Sequence, residues 1–296
     1  MKIRLLYRYT LIIVALLTAP TFANAQIDLD AEFESFKKSQ QNFDNEYAAW
    51  RKKQNDEYSA YRKAYHDALN QFKNQILKHW NKAEVTDKKS WVEYSLDMKT
   101  RKVVDYEKNE IRISILRPPA DKKSLQETVS NSVKSMISQN LTSAKQKDPV
   151  LEAVRKKIPD PQPTPQSKRL LLSELFTGKQ PSSNELGAVA ANLVKKAQYV
   201  KKPKLASKAR PNNGKSWIPV VVTIPLPRDS VSKRATKFRK TVNKYAAENR
   251  LDPSLVYAVM HTESSFNPMA RSSVPAYGLM QIVPHSAGRD VSKVLF

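Results

Sequence analysis

The sequence predicts an α+β protein that is mainly helical, with a long N-terminal helix and a small antiparallel β meander. Apolar and aromatic residues recur at steps of three and four over residues 29–80, which is the period of an α-helix. Over residues 91–116 the period changes to two, and β-branched and aromatic residues become frequent, as in strands. These two periods define the predicted fold class.

The composition excludes several classes of function. The chain has 296 residues and no cysteine, which excludes disulfides, thiol nucleophiles and cysteine-ligated metal centres. Its five glycines form no cluster, so the chain has neither a P-loop nor a dinucleotide-binding fingerprint. Four histidines without an H-E-x-x-H motif do not indicate a metal site. We therefore expect neither a metal nor a cofactor.

Residues 1–25 have the three parts of a secretory signal peptide. Three basic residues come first, residues 11–17 are an unbroken apolar run, and residues 23–25 (Ala-Asn-Ala) form a small-x-small cleavage site. The run is shorter than the ~20 residues that span a bilayer, which favours cleavage over a membrane anchor. We expect cleavage after Ala25 and a periplasmic protein, with association with the outer membrane as a further option.

The net charge of the chain is +23, from 51 Lys and Arg against 28 Asp and Glu. Such a charge favours an anionic partner. Charge alone is also typical of a nucleic-acid-binding protein, but the export signal weighs against that class. We expect no nucleic acid and, instead, an anionic surface of the cell envelope.

Residues 26–84 are predicted to form one long, coiled-coil-like helix, since no glycine or proline occurs from 28 to 84. The apolar stripe along this helix is aromatic rather than rich in leucine, so tight knobs-into-holes pairing with another helix is not expected. Packing against a partner helix or against the rest of the chain is favoured over glycan binding, and a helix–helix partner through residues 29–80 stays open. The stripe comprises Leu29, Phe33, Phe36, Phe43, Tyr47, Trp50, Tyr58, Tyr61, Tyr65, Leu69, Phe72, Ile76 and Trp80.

Residues 85–157 are predicted to form a small α+β module. Three strands alternate over residues 91–116, with the polar turn Glu107-Lys108-Asn109 before the last of them. An amphipathic helix follows over residues 123–147, and we expect it to share one core with the meander. Its apolar face comprises Leu125, Val129, Val133, Met136, Ile137 and Leu141.

Residues 158–216 are predicted to be a proline-rich and basic linker with short helices near 169–177 and 183–200. The last unit, residues 217–296, opens with a strand candidate at 220–224, which is followed by a basic amphipathic helix over 229–250.

A second helix of this last unit carries the chemistry. Asp252 as N-cap and Pro253 at the first helical position start it, and it runs to about Ser264. It is nearly all apolar, so we expect it to be buried, with Glu263 at its end. A carboxylic acid held in an apolar wall has its pKa raised by desolvation, which suits a general acid for glycosidic cleavage. The alternative is that Glu263, at the C-terminal end of its helix, simply reaches solvent.

No second acid accompanies Glu263, since no acidic residue lies between it and Asp290. Most glycosidases use two carboxylates. One acid suffices if the substrate supplies its own nucleophile, as when the C6 hydroxyl of a muramic acid residue closes a 1,6-anhydro ring.

Two blocks of sequence carry a family resemblance. The segment Glu263-Ser264-Ser265-Phe266-Asn267-Pro268, followed by Ala270, Ser272 and Gly278-Leu279-Met280-Gln281, resembles the catalytic core of family 1 lytic transglycosylases of the soluble-lytic-transglycosylase type. The likeness covers residues 222–291. More weakly, the meander resembles the N-terminal domain of one branch of that family.

The resemblance implies a lysozyme-like helical domain that cleaves the β-1,4 bond between N-acetylmuramic acid and N-acetylglucosamine in peptidoglycan. It implies Glu263 as acid and base, and Ser272, Gln281, Tyr277 and Met280 as substrate-binding residues, with no metal. Ser264 is expected to support the local turn rather than to touch sugar.

Three departures from the family pattern affect this prediction. Pro275 stands where many members have glycine, and Val283 where many have methionine. The family continues with a further helical half that carries an Ala-Tyr-Asn-Gly-type motif, which these 296 residues do not include. The lysozyme-like domain is therefore expected to be incomplete and C-terminally truncated.

Two functional hypotheses follow. The first is a peptidoglycan lytic transglycosylase. The second is a truncated, inactive remnant that serves only as an envelope-binding, peptidoglycan-binding or coiled-coil interaction module. The absent motif favours the second for the chain as written, with little or no release of muropeptides.

Overall fold

A computed structural model of the chain describes residues 29–116, 121–158, 167–178, 180–201, 219–283 and 288. The predicted signal peptide and parts of the predicted proline-rich and basic linker lie outside these residues. Within them, the α+β class is confirmed, with one small antiparallel sheet, a long N-terminal helix and further shorter helices.

The long helix α1 spans Leu29–Leu77 and so ends before residue 84, its predicted C-terminal end. Contacts divide the chain into two compact units, of which the first ends at Lys53. In the described part of that unit the aromatic stripe is exposed. Its exposed members are Phe33, Phe36, Phe43, Tyr47 and Trp50.

In the second unit, which begins at Gln54, the continuation of the stripe is buried within the same chain. From Tyr65 to Trp80 these side chains pack with one another and with Val150 and Val154. The indole N–H of Trp80 donates to the carbonyl of Met98, at 2.7 Å. For this half of the stripe, packing against the chain itself is the interpretation that the structure supports.

The sheet has five antiparallel strands, which are β1 Ser90–Tyr94, β2 Thr100–Asp105, β3 Glu110–Ile115, β4 Gln198–Lys201 and β5 Val220–Pro225. Their order in the sheet is β1-β2-β3-β5-β4. The meander is confirmed, because β1, β2 and β3 pair in sequence and the turn at Asn109 (φ 55°) joins the last two.

Strands β4 and β5 extend the meander. Val222 of β5 lies opposite Ile113 on one side and Tyr199 on the other. The sequence assigned residues 217–225 to the C-terminal unit and expected helix up to residue 200. The structure instead gives Gln198–Lys201 to a strand, because the free edge of β5 offers backbone hydrogen bonds to the extended Tyr199-Val200 pair.

One face of the sheet is covered by α2 (Lys122–Ile137) and α5 (Ser183–Lys195). Val129, Val133 and Met136 of α2 are fully buried against the strands, as the amphipathic period predicted. Ala190 and Leu193 of α5 join the same core. Residues 183–195 are therefore part of the module and not only of a linker.

Two predicted helices are broken into shorter ones. The helix expected over 123–147 ends at Ile137, and α3 (Leu141–Gln146) restarts at Asn140, whose side chain forms a capping box with Ser143. In 169–177 only a 3₁₀ turn, Ser173–Leu175, is formed. A further helix, α4, spans Pro149–Lys157.

The helix expected over 229–250 divides into α6 (Ser230–Thr236) and α7 (Arg239–Glu248). The break at Lys237 lies where Lys237 and Arg234 both form ion pairs with the buried carboxylate of Glu174. This tertiary contact prevails over the continuous helical period.

Helix α8 spans Pro253–Ser264, and its N-cap is confirmed, since the Asp252 carboxylate accepts from the backbone N–H of Ser254. Its predicted burial is wrong: Leu255 is 54% exposed and Val259 37% exposed. Among the described residues, the buried cluster at this helix is small and consists of Val242, Met260 and Phe266. The residues packed around it are only partly buried: Val231, Ala235, Phe238, Val256, Tyr257 and Leu279.

A search of the described residues finds no helix that is both long enough and apolar enough to cross a membrane.

Strand β5 is predicted to be essential for the core. Ile224 is fully buried opposite Ile111, so Ile224→Ala should lower the free energy of unfolding by about 2–5 kcal/mol through lost burial and a cavity. Val200→Ala, at a half-exposed position of edge strand β4, is the control and should cost under about 0.5 kcal/mol. Urea unfolding followed by circular dichroism measures both, and equal losses would contradict the placement of β5.

Candidate active site

Glu263 lies in the last turn of α8, as predicted. Its side chain is 34% exposed, and its Oε2 atom lies 2.8 Å from the Nζ atom of Lys88. The expected apolar wall is therefore wrong. The carboxylate faces an ammonium group that comes from the loop before β1.

The backbone turns sharply directly after Glu263. Ser265 (φ 50°) and Phe266 (φ 60°) are both left-handed, a conformation that costs non-glycine residues about 1–2 kcal/mol each. The buried Ser264 hydroxyl lies 2.8 Å from the carbonyl of Met260 and 3.0 Å from that of Leu279. Ser264 thus supports the turn and joins the two sequence blocks, as expected for it.

Lys89 closes the C-terminal end of α8. Its ammonium donates to the carbonyls of His261 (2.8 Å) and Thr262 (2.7 Å) and lies 3.1 Å from the hydroxyl of Ser265. Carbonyls at a helix C-terminus lack partners within the helix and carry partial negative charge, which a cation stabilises. Two adjacent lysines therefore hold the same helix end.

Arg271 fixes the loop that follows. Its buried guanidinium donates to the carboxylate of Asp148 (2.8 Å) and to the carbonyl of Thr86 (3.3 Å), and its backbone N–H donates to the carbonyl of Asp87. Burial by itself lowers the pKa of Arg271, but the Asp148 carboxylate, with Tyr65, more than offsets this and the pKa lies above its usual value. Arg271 therefore stays charged.

Of the predicted substrate-binding residues, Ser272 is engaged in its own loop. Its hydroxyl donates to the carbonyl of Val274 and accepts from the backbone N–H of Ala276 at 3.3 Å. Pro275, where many family members have glycine, is buried inside this loop. The hydroxyl of Ser272 thus shapes the loop beside Glu263.

Tyr277 contacts the long helix. Its hydroxyl lies 2.8 Å from that of Tyr61, and its ring packs edge-on against Tyr65 at 6.3 Å. Burial, followed by the Tyr61 hydroxyl, raises the pKa of Tyr277 well above its usual value, so the phenol remains protonated. Tyr277 is thereby fixed by residues that the sequence had assigned to a separate unit.

The second block ends in a compact turn. Gly278 (φ 72°) donates its N–H to the carbonyl of Ala270 at 2.8 Å, which again ties the second block to the first. The side-chain amide of Gln281 donates to the carbonyl of Gly278, while its Oε1 atom is buried without a hydrogen-bond partner. Met280 is exposed.

The structure therefore brings both blocks together around the turn after Glu263. The sequence did not predict Lys88 and Lys89, since a pair of lysines is unremarkable among 51 Lys and Arg. Among the described residues, no group of three or more His, Asp or Glu is arranged to hold a metal ion.

Comparisons with known proteins find two family matches. Residues 240–295 match the family described as transglycosylase SLT domain. This match includes Glu263 and the turn that follows it.

The second match lies nearer the N-terminus. Residues 52–143 match the family described as membrane-bound lytic murein transglycosylase C, N-terminal domain, and this range includes the second half of α1 together with the meander. The boundary predicted at residue 84 lies inside this match.

Individual relatives carry the same description. Membrane-bound lytic murein transglycosylase C of Sodalis glossinidius is 51% identical over 73 residues, 25% of this chain and 20% of that protein. The protein of that name from Actinobacillus succinogenes is 44% identical over 98 residues, 33% of this chain and 26% of the relative. That from Histophilus somni is 31% identical over 227 residues, 76% of this chain and 56% of the relative. The matched part of the chain thus spans 56% of the Histophilus somni relative's length and less of the other two.

The Arg271–Asp148 ion pair is predicted to be essential for holding the loop after α8. Asp148→Ala should lower the free energy of unfolding by about 3–5 kcal/mol, because it leaves a buried guanidinium unpaired. Asp148→Asn should cost less, since it keeps an acceptor for the N-terminal N–H groups of α4. Urea unfolding measures both.

Glu152→Ala on the same helix is the control for Asp148, because Glu152 forms only an exposed ion pair with Lys156. A loss for Asp148→Ala no larger than that of this control would contradict the essential role of the ion pair.

Proposed function

We propose that this chain acts in a peptidoglycan lytic transglycosylase that cleaves the β-1,4 bond between N-acetylmuramic acid and N-acetylglucosamine, with Glu263 as its acid and base. The observation that carries the proposal is the placement of Glu263. It is partly exposed at the end of α8, and the hydrogen bond from Ser264 to Leu279 holds the two family blocks together beside it. The match of residues 240–295 to the transglycosylase SLT domain supports the same activity.

In the proposed reaction Glu263 acts twice. Its protonated form donates a proton to the glycosidic oxygen while the bond from the muramic acid C1 to that oxygen breaks. The muramic acid C6 hydroxyl oxygen then bonds to C1, and the Glu263 carboxylate removes the hydroxyl proton. The products are a 1,6-anhydromuramic acid end and a free N-acetylglucosamine 4-hydroxyl. Glu263 regains its proton, and no water is consumed.

The same proposal gives the neighbouring residues substrate-binding roles. Gln281 has an unpaired buried amide oxygen that a sugar hydroxyl or N–H can satisfy. Met280 presents an exposed apolar surface that suits the face of a sugar ring. Ser272 and Tyr277 complete the proposed substrate-binding set, and the contacts of their hydroxyls fix the segment between the two blocks.

We also propose an envelope location. Relatives that match the chain are named membrane-bound, and residues 1–25 carry the pattern of a signal peptide. The mature protein would start at Gln26 in the periplasm, where a net positive charge favours contact with anionic murein or with the outer membrane.

A helix–helix partner is proposed for the exposed part of the aromatic stripe only. Phe43, Tyr47 and Trp50 stack along one face of α1, with ring centroids 6.4 and 5.8 Å apart. The regular three-and-four spacing there suits a second helix. The buried half from Tyr65 onward is satisfied by the chain itself.

The activity is tested with purified sacculi and mass spectrometry of the released 1,6-anhydromuropeptides. Glu263→Gln should lower product formation at least about 100-fold, because an amide can neither donate nor accept the required proton. Glu248→Gln, at an exposed position on α7, should leave it unchanged. Full product from Glu263→Gln would contradict the assignment, and no product from the unchanged protein would favour the binding-only module.

The location is tested by expressing the full chain in a Gram-negative host and sequencing the N-terminus of the periplasmic protein. The expected first residue is Gln26, since the small-x-small site ends at Ala25. Recovery of the protein in the membrane fraction with Met1 intact would contradict cleavage.

A further inference from the structure

The loop between α1 and β1 provides the charged partner of the proposed catalytic residue. The Lys88 ammonium lies 2.8 Å from Oε2 of Glu263, a residue 175 positions later in the chain. The two side chains are 45% and 34% exposed, so the ion pair is accessible to solvent and to substrate. An isolated ion pair of this exposure contributes little to the stability of the fold, so its importance lies in its position at the Glu263 carboxylate.

Lys88 is not a freely moving surface lysine, because its backbone is attached to the turn after Glu263. The Lys88 carbonyl accepts from the side-chain amide of Asn267, at 3.3 Å. On the preceding residue, the Asp87 carbonyl accepts from the backbone N–H of Arg271. Two hydrogen bonds thus fix the base of the Lys88 side chain beside the helix end that carries Glu263.

The other charged groups nearby have partners elsewhere. The Lys89 ammonium donates to the carbonyls at the end of α8, and the Arg271 guanidinium pairs with Asp148. The carboxylate of Asp87 accepts from the backbone N–H groups of Lys89 and Ser90. In the part of the chain that the structure describes, Lys88 is therefore the cation whose ammonium is directed at Glu263.

We propose that Lys88 is a positioning residue for Glu263. It is supplied by the loop before β1 in the α+β module, and this module thereby completes the active site. The inference rests on the proposed function, in which Glu263 is acid and base. The ammonium fixes Oε2, so that the opposite carboxyl oxygen is directed toward the glycan. It also offsets the negative charge that Glu263 carries between its two proton transfers.

The contact is tested first, by a measurement that needs no catalysis. In protein with ¹³C-labelled glutamate, the side-chain carboxyl resonance of Glu263 is assigned by its loss in Glu263→Gln. At pH 7 this resonance should shift in Lys88→Met and return toward its original position in Lys88→Arg, which restores a cation. Lys99→Met, which removes a lysine of similar exposure paired with Asp97, should leave it in place.

The role in catalysis is tested on soluble glycan strands. Lys88→Met should lower kcat about tenfold with KM nearly unchanged, because misplacement of the acid affects the transition state more than binding. Lys88→Arg should recover most of the rate, and Lys99→Met should keep all of it.

The outcomes separate this inference from the proposed function. A Glu263 resonance that does not respond to Lys88→Met overturns the inference, as does full kcat in that variant. Activity that persists in Glu263→Gln overturns the proposed function, whatever Lys88 does. If the unchanged protein releases no product, the proposed function fails while the carboxyl resonance still decides whether Lys88 holds Glu263.

Discussion

The buried Arg271 guanidinium is the group on which the arrangement of the candidate site depends. A charge removed from water must be paired, and Arg271 meets that need with the Asp148 carboxylate and the Thr86 carbonyl. These partners lie in separate parts of the module, at the start of α4 and in the loop before β1. One side chain thus fixes the segment after Glu263 against both of them.

Because that segment is fixed, two neighbouring lysines reach the end of α8 with different effects. Lys89 satisfies helix carbonyls that have no partner within the helix, which stabilises the left-handed turn at Ser265. Lys88 reaches the carboxylate of Glu263 itself. The proposed acid is consequently paired with a residue of a distant segment, and this geometry exists only once that segment has docked.

Local features of the sequence were predicted well. Asp252 and Pro253 start α8, Asn109 forms the turn of the meander, and Glu263 ends its helix, because caps and turns depend on near neighbours. Strand pairing was predicted less well. The run Val-Val-Val-Thr-Ile predicted residues 220–224 as a strand but did not predict the neighbouring strands, since β5 pairs through backbone groups that every residue possesses.

By itself, the sequence determined the helical and strand periods and the two blocks around Glu263 that carry the family resemblance. Only the tertiary structure decided that α8 is largely exposed, that half of the aromatic stripe is buried at Tyr65 and beyond, and that Lys88 meets Glu263. The physical reason is that periodicity depends only on the spacing of residues within one helix or strand. Which charges and faces meet depends on the docking of remote segments, and nothing local distinguishes Lys88 from the other lysines.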